Sequence, residues 1–167
     1  AFADTQMSST DMLGTTGYGL WDTGRAKLEQ IFAEVMGAED ALVRSQFQSG
    51  THTLAVALFG LLRAGDTLLA ATGRPYDTLE GVIGLDGKGK GTGTLMDYGI
   101  RYDEVPLKAD FTPDYALIAQ KAPGAKVCHI QRSRGYLQRN AFDLDTIQKI
   151  ADTARAANPE IIILSLI

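Results

Sequence analysis

Cysteine is nearly absent: Cys128 stands alone in the chain. A single thiol makes no internal disulfide, so a reducing cytoplasm is the expected compartment. Histidine is scarce too. His52 and His129 are the only two, neither belongs to a CxxC or His-rich pattern, and no metal site is expected. No segment approaches the roughly 18 apolar residues of a membrane span. Ala1 to Gln6 show no basic region followed by an apolar one, so no signal peptide is visible. Sixteen Lys and Arg stand against 20 Asp and Glu, for a formal net charge of −4. The basic residues are scattered, which argues against nucleic acid or a membrane surface as partner.

What is present suits a globular α/β protein. Hydrophobic residues make up 45% of 167, enough for a real core in one domain or a large piece of one. Residues 1–24 are rich in Gly, Ser and Thr without a period and read as an irregular arm. Leu28, Ile31, Phe32 and Val35 fall at helical spacing and predict a helix over Arg25–Met36, closed by Gly37. Ala41–Val43 is a short strand candidate. Ser49-Gly50-Thr51 opens a second helix with Leu54, Leu58 and Leu62 on its apolar side. Strands are expected at Thr67–Ala71, Ile100–Val105, Lys126–Ile130 and Glu160–Leu164. Helices are expected at Pro113–Lys121, with Thr112 as N-cap, and at Asp143–Ala157. Strands alternating with helices predict a mainly parallel sheet covered by helices. The closing run, Ile161 to Ile167, reads as buried-strand material lacking a partner, so the chain is expected to belong to something longer.

Several motifs sit where α/β proteins bind ligands. Gln48-Ser49-Gly50-Thr51-His52-Thr53 lies at a helix start, where free N–H groups and the helix dipole suit a phosphate. The same residues also make an ordinary N-cap, and His52 is as well explained by structure as by chemistry. Gly73-Arg74-Pro75-Tyr76-Asp77-Thr78 follows a strand, so Tyr76 either offers its face to an aromatic ligand or is half-buried in a turn. Gln131-Arg132-Ser133-Arg134-Gly135-Tyr136 also follows a strand. Arg132 and Arg134 there either hold a carboxylate or form a solvated pair. The Gly-rich stretch Gly84–Gly93 reads as a flexible loop. It lacks the hydroxyl residue of a P-loop, since Gly91 stands in its place, and it lacks the last glycine of a dinucleotide fingerprint. Cys128, in mid-strand, is expected to be buried and inert.

Taken together, these blocks resemble the aluminium-resistance family, relatives of methionine γ-lyase and of cystathionine-processing enzymes among the fold type I pyridoxal-phosphate (PLP) enzymes. Five stretches in order carry the resemblance: Thr15-Thr16-Gly17-Tyr18-Gly19, Gly37 to Arg44, Ser49 to His52, Pro75 to Glu80, and Gln131 to Tyr136. The resemblance implies the large PLP-binding domain of an aspartate aminotransferase-like enzyme, here incomplete. Residues 1–40 would form an arm and first helix at an oligomer interface, and residues 41–167 part of the PLP-binding domain.

The implied cofactor is pyridoxal 5′-phosphate, with Ser49, Gly50 and Thr51 as its phosphate cup and Tyr76 stacked on its ring. Tyr18 would reach a neighbour's phosphate in a homodimer or homotetramer with shared active sites; the arginine usual two residues later is Leu20. Arg132 and Arg134 would hold the carboxylate of a small amino-acid substrate. Relatives place an Asp after the strand matching Ile161–Leu164, then a Schiff-base Lys after Ser-Leu-Ile. The resemblance therefore implies a junction between Leu164 and Ser165 across missing residues, with Ser165 a second phosphate contact and the Lys just after Ile167. The implied activity is carbon–sulfur lysis of cystathionine, cysteine or methionine by β- or γ-elimination. A PLP-binding relative without lyase activity and a transaminase on the same fold stay open beside it.

Overall fold

The computed structural model describes residues 1–15, 22–87 and 91–166, in two compact units, 1–48 and 49–167. In the first unit a short 3₁₀ turn, Ser9–Met12, precedes helix α1 (Thr23–Met36). Asp11 ties them together: Lys27 Nζ and Thr23 Oγ1 each lie 2.8 Å from its carboxylate oxygens, and these donors hold its carboxyl well below the usual range. Gly37 closes α1 in the left-handed conformation, as expected. The strand expected at Ala41–Val43 does not form. Among the described residues the backbone there has no ladder partner, and the Val43 N–H donates instead to Glu29 Oε1 at 2.9 Å, beside an ion pair between Arg44 and Glu29.

In the second unit, helices α2 (Gly50–Leu61), α3 (Asp77–Ile83), α4 (Tyr115–Lys121) and α5 (Leu144–Ala157) alternate with strands β1 (Thr67–Ala70), β2 (Arg101–Glu104), β3 (Val127–Gln131) and β4 (Ile162–Leu166). The strands form one parallel sheet in the order β2-β1-β3-β4. The central strands β1 and β3 are almost wholly buried while β2 and β4 are not, which is why the inner strands are largely apolar, with His129 and Gln131 the polar members of β3. Side chains alternate between two cores. Leu68 and Val127 pack with α2 and α3 through Leu54, Leu58 and Leu79. Leu69, Cys128 and Ile130 pack with α4 and α5 through Ile118, Ile150 and Ala154.

Local chemistry moves some boundaries. Helix α4 starts at Tyr115 on an Asp114 cap, whose Oδ1 accepts the Leu117 N–H at 3.1 Å. Thr112 is not the cap, because its N–H and hydroxyl both engage Asp110 Oδ1, at 3.0 and 2.6 Å. β4 starts two residues later than expected because Asn158 builds a turn, donating to the Ala122 and Ala125 carbonyls at 3.1 and 2.9 Å. It then runs unbroken through Leu164 and Ser165, which register on His129 and Ile130. Helix α3 has no counterpart among the expected elements.

The far side of the Gly-rich stretch is fastened: the N–H groups of Gly91, Gly93 and Thr94 converge on the Asp97 carboxylate at 3.0–3.1 Å, holding its carboxyl down at about 2. At Gly84 the backbone is left-handed, φ 102°, and a Cβ would stand 2.7 Å from Thr94 Oγ1. Gly84→Ala is expected to cost about 1–2 kcal/mol, measured as a lowered denaturation midpoint. An unchanged midpoint would show that the turn relaxes freely.

Candidate functional site

The carboxyl ends of β1 and β3 and the start of α2 meet on one side of the sheet, the position where open α/β sheets bind ligands. Ser49 caps α2, its Oγ accepting the His52 N–H at 3.1 Å. The N–H groups of Gly50 and Thr51, in the first turn, have no acceptor within the helix. Among the described residues nothing lies within 4 Å of where a Gly50 Cβ would be, so a ligand can approach this backbone closely.

Tyr76 is brought to the same place from the loop after β1. Its hydroxyl lies 3.3 Å from Thr51 Oγ1, which is 2.9 Å from Thr78 Oγ1. Three hydroxyls thus gather at the helix start. The Tyr76 ring packs against the α2–α3 core, and its backbone N–H donates to Gln131 Oε1 at 3.0 Å. Gln131 is itself buried, and its own N–H donates to Thr72 Oγ1 at 3.0 Å. Loop and strand end are locked to one another by this pair of bonds. Free N–H groups, hydroxyls and an aromatic face around open space form a donor set that fits a phosphate-bearing aromatic cofactor.

The other expected residues separate. Arg134 is exposed and lines a cavity of about 510 Å³ bounded also by Tyr76, Glu104 and Tyr136. Arg132 is outside that lining; its Nε–H is given to the Phe142 carbonyl at 3.1 Å. Ser165 lies between Leu164 and Leu166, which pack with Tyr76 in the α2–α3 core. Strand alternation therefore turns Ser165 toward the α5 face, where its buried Oγ has no hydrogen-bond partner among the described residues. Tyr18 lies outside the described residues. His52 is exposed at the helix start. Cys128 is fully buried, and burial pushes its thiol up to about 12, so it stays protonated. Among the described residues no group of His, Cys, Asp and Glu is arranged to hold a metal ion, and no helix is long and apolar enough to cross a membrane.

Thr78 stands in the motif after β1 without being singled out there. Arg139 lies outside the motifs, and it is 7% exposed. Its guanidinium donates to the carbonyls of Gln131, Arg132, Ser133 and Asn140 at 2.6–3.4 Å and stacks over Phe142, 4.0 Å from the ring centre. A second cavity, about 540 Å³, opens beside Arg139 and the start of α5. The Asp143 cap already fills that helix start, its Oδ1 accepting the Thr146 N–H at 2.8 Å.

The family model for methionine gamma-lyase matches residues 1–165. The chain belongs to the methionine gamma-lyase family. The uncharacterized protein YnbB of Bacillus subtilis (strain 168) is 45% identical over 159 residues, covering 95% of this chain and 38% of its own length. A Listeria monocytogenes protein provisionally described as a cystathionine beta-lyase involved in aluminum resistance is 42% identical, with a TM-score of 0.92 over 98% of this chain and 41% of that one. A Clostridium novyi carbon-sulfur lyase involved in aluminum resistance is 37% identical, with a TM-score of 0.91 over 98% of this chain and 39% of that one. The chain thus spans about two fifths of the length of these methionine gamma-lyase family relatives.

Proposed function

We propose that this chain is the cofactor-binding part of a PLP-dependent carbon–sulfur lyase of fold type I, acting on sulfur amino acids such as cystathionine, cysteine or methionine. The observation that carries the reading is the meeting of Thr51, Tyr76 and Thr78 hydroxyls at the open start of α2. In this reading the Gly50 and Thr51 N–H groups and the Thr51 hydroxyl hold the phosphate, and the Tyr76 face covers the ring. Arg134 holds the substrate carboxylate from the cavity wall, and Arg132 shapes its loop. When bound, PLP supplies an electron sink for the carbon that loses its Cα proton. The chain's own part is to fix phosphate, ring and carboxylate so that the Cα–H bond is aligned. Loss of a thiol from Cβ or Cγ, followed by hydrolysis, gives a keto acid and ammonia. The Schiff-base lysine is proposed to follow Ile167, and Tyr18 to serve a neighbouring subunit in a homodimer or homotetramer.

The test uses the full-length protein. Tyr76→Ala and Thr51→Ala are each expected to weaken cofactor binding about tenfold, read from the visible absorbance of the bound cofactor. Wild-type protein is expected to release keto acid from a sulfur amino acid without any amino acceptor. A strict need for an acceptor would make it a transaminase. Unchanged cofactor affinity in both variants would remove the site.

A further inference from the structure

The hydroxyls around the start of α2 do not play equal parts. Ser49 Oγ is the cap acceptor for the His52 N–H at 3.1 Å. The Thr53 hydroxyl turns back into the helix and donates to the Ser49 carbonyl at 3.1 Å. Thr51 Oγ1 instead meets two hydroxyls from the chain after β1, Thr78 Oγ1 at 2.9 Å and Tyr76 Oη at 3.3 Å. The fold holds Thr78 in that place. Its neighbour Leu79 is fully buried in the core that α2 and α3 share. The Leu79 and Glu80 N–H groups both donate to the Tyr76 carbonyl at 3.0 Å, which ties Tyr76 and Thr78 into one turn. Helix α3 thus delivers the Thr78 hydroxyl to the side of α2.

Proton counting gives these hydroxyls their directions. Each carries one proton, and each oxygen can accept two. A Thr51 proton given to Thr78 would leave none for a ligand at the open helix start. A phosphate there is the stronger acceptor, because a hydrogen bond to an ionised group is roughly twice as strong as a neutral one. Thr51 then donates outward, and Thr78 and Tyr76 fill the two acceptor positions of its oxygen. Donation into Thr51 polarises its O–H and strengthens the outward bond. We infer that Thr78 is a positioning residue: its hydroxyl donates to Thr51 and aims the single Thr51 proton at the phosphate of a bound cofactor. Thr78 acts through Thr51 without touching the ligand itself. The phosphate in this relay rests on the PLP reading.

The test uses the full-length protein and compares PLP with pyridoxal, which has the same ring and aldehyde but no phosphate. Thr78 is exposed, so Thr78→Val removes the hydroxyl, keeps the side-chain shape and leaves the core intact. It is expected to weaken PLP binding about fivefold, read from the visible absorbance of the bound cofactor, and to leave pyridoxal binding unchanged. Thr78→Ser is expected to keep the PLP affinity. In a Thr51→Ala background Thr78→Val is expected to add no further loss, the result of a double-mutant cycle when one residue acts only through the other. Equal losses for PLP and pyridoxal, or a full additional loss in the Thr51→Ala background, overturn the proposal. A Thr78→Val variant that binds PLP like wild type also overturns it and leaves the cofactor reading standing. A protein that shows the whole expected pattern but releases no keto acid overturns the lyase reading and leaves the relay standing.

Discussion

Between pH 6.5 and about pH 4 the protein is expected to lose about 3 kcal/mol of stability that a His129→Leu variant keeps. His129 sits in the middle of β3, 2% exposed, registered on Ala70 of β1 and Leu164 of β4. Burial lowers its imidazole from 6.5 to about 4, and its Nε2 finds no hydrogen-bond partner among the described residues. The sign follows from proton counting. Between those two values the unfolded chain binds a proton that the folded chain refuses, so stability falls as pH falls through 6.5. The loss levels off near pH 4, where the folded imidazole also charges. Carboxylates held low by their partners, such as Asp97 and Asp143, add a further loss at lower pH, but in both proteins alike. Urea denaturation of wild type and variant across this range isolates the His129 contribution. Parallel profiles would mean that the imidazole is solvated.

Arg139→Ala is expected to cost about 3–5 kcal/mol, and Arg139→Lys is expected to recover little of it. The guanidinium is the hub of the loop after β3: four carbonyls accept from it, with no carboxylate among them. Truncation leaves those oxygens competing for water in a confined space, and it uncovers one face of Phe142. Lysine restores the charge but not the fork that reaches several carbonyls at once. The denaturation midpoint gives the cost, and limited proteolysis locates it within 132–142, the loop that carries Arg134 and Tyr136. A lysine variant as stable as wild type would show that charge alone holds the loop.

Much of the fold was legible from local signals. In α1, α2 and α5 the apolar spacing marked the helix, joined by Gly37 at the end of α1 and Ser49 at the start of α2; the caps Asp22 and Asp143 emerged only in the structure. In β1 and β3 burial on both faces leaves largely apolar runs, interrupted in β3 by His129 and Gln131. Helix α3 was hidden because it is short, 7 residues, starts directly after Pro75-Tyr76, and holds Gly81; its sequence reads as a ligand motif. Thr112, the expected cap of α4, bonds Asp110 instead, and Asp114 caps the helix.

At the site, Ser49, Thr51 and Tyr76 stood out from residue type and position after a strand or before a helix. Thr78 and Gln131 lie inside the motifs without marking themselves as contacts, and Arg139 lies outside them, because each acts through a partner 8 to 59 residues away in the chain. Ser165 shows the converse: its chemistry suited a phosphate, but period-two alternation sends it to the opposite face.

The bond from the Tyr76 N–H to Gln131 has one further consequence. It fastens the tyrosine's backbone to the end of a central strand before any small molecule arrives. The conformational entropy of placing that ring is spent when the chain folds, so an incoming planar group meets a prepared surface and keeps more of its contact energy as affinity.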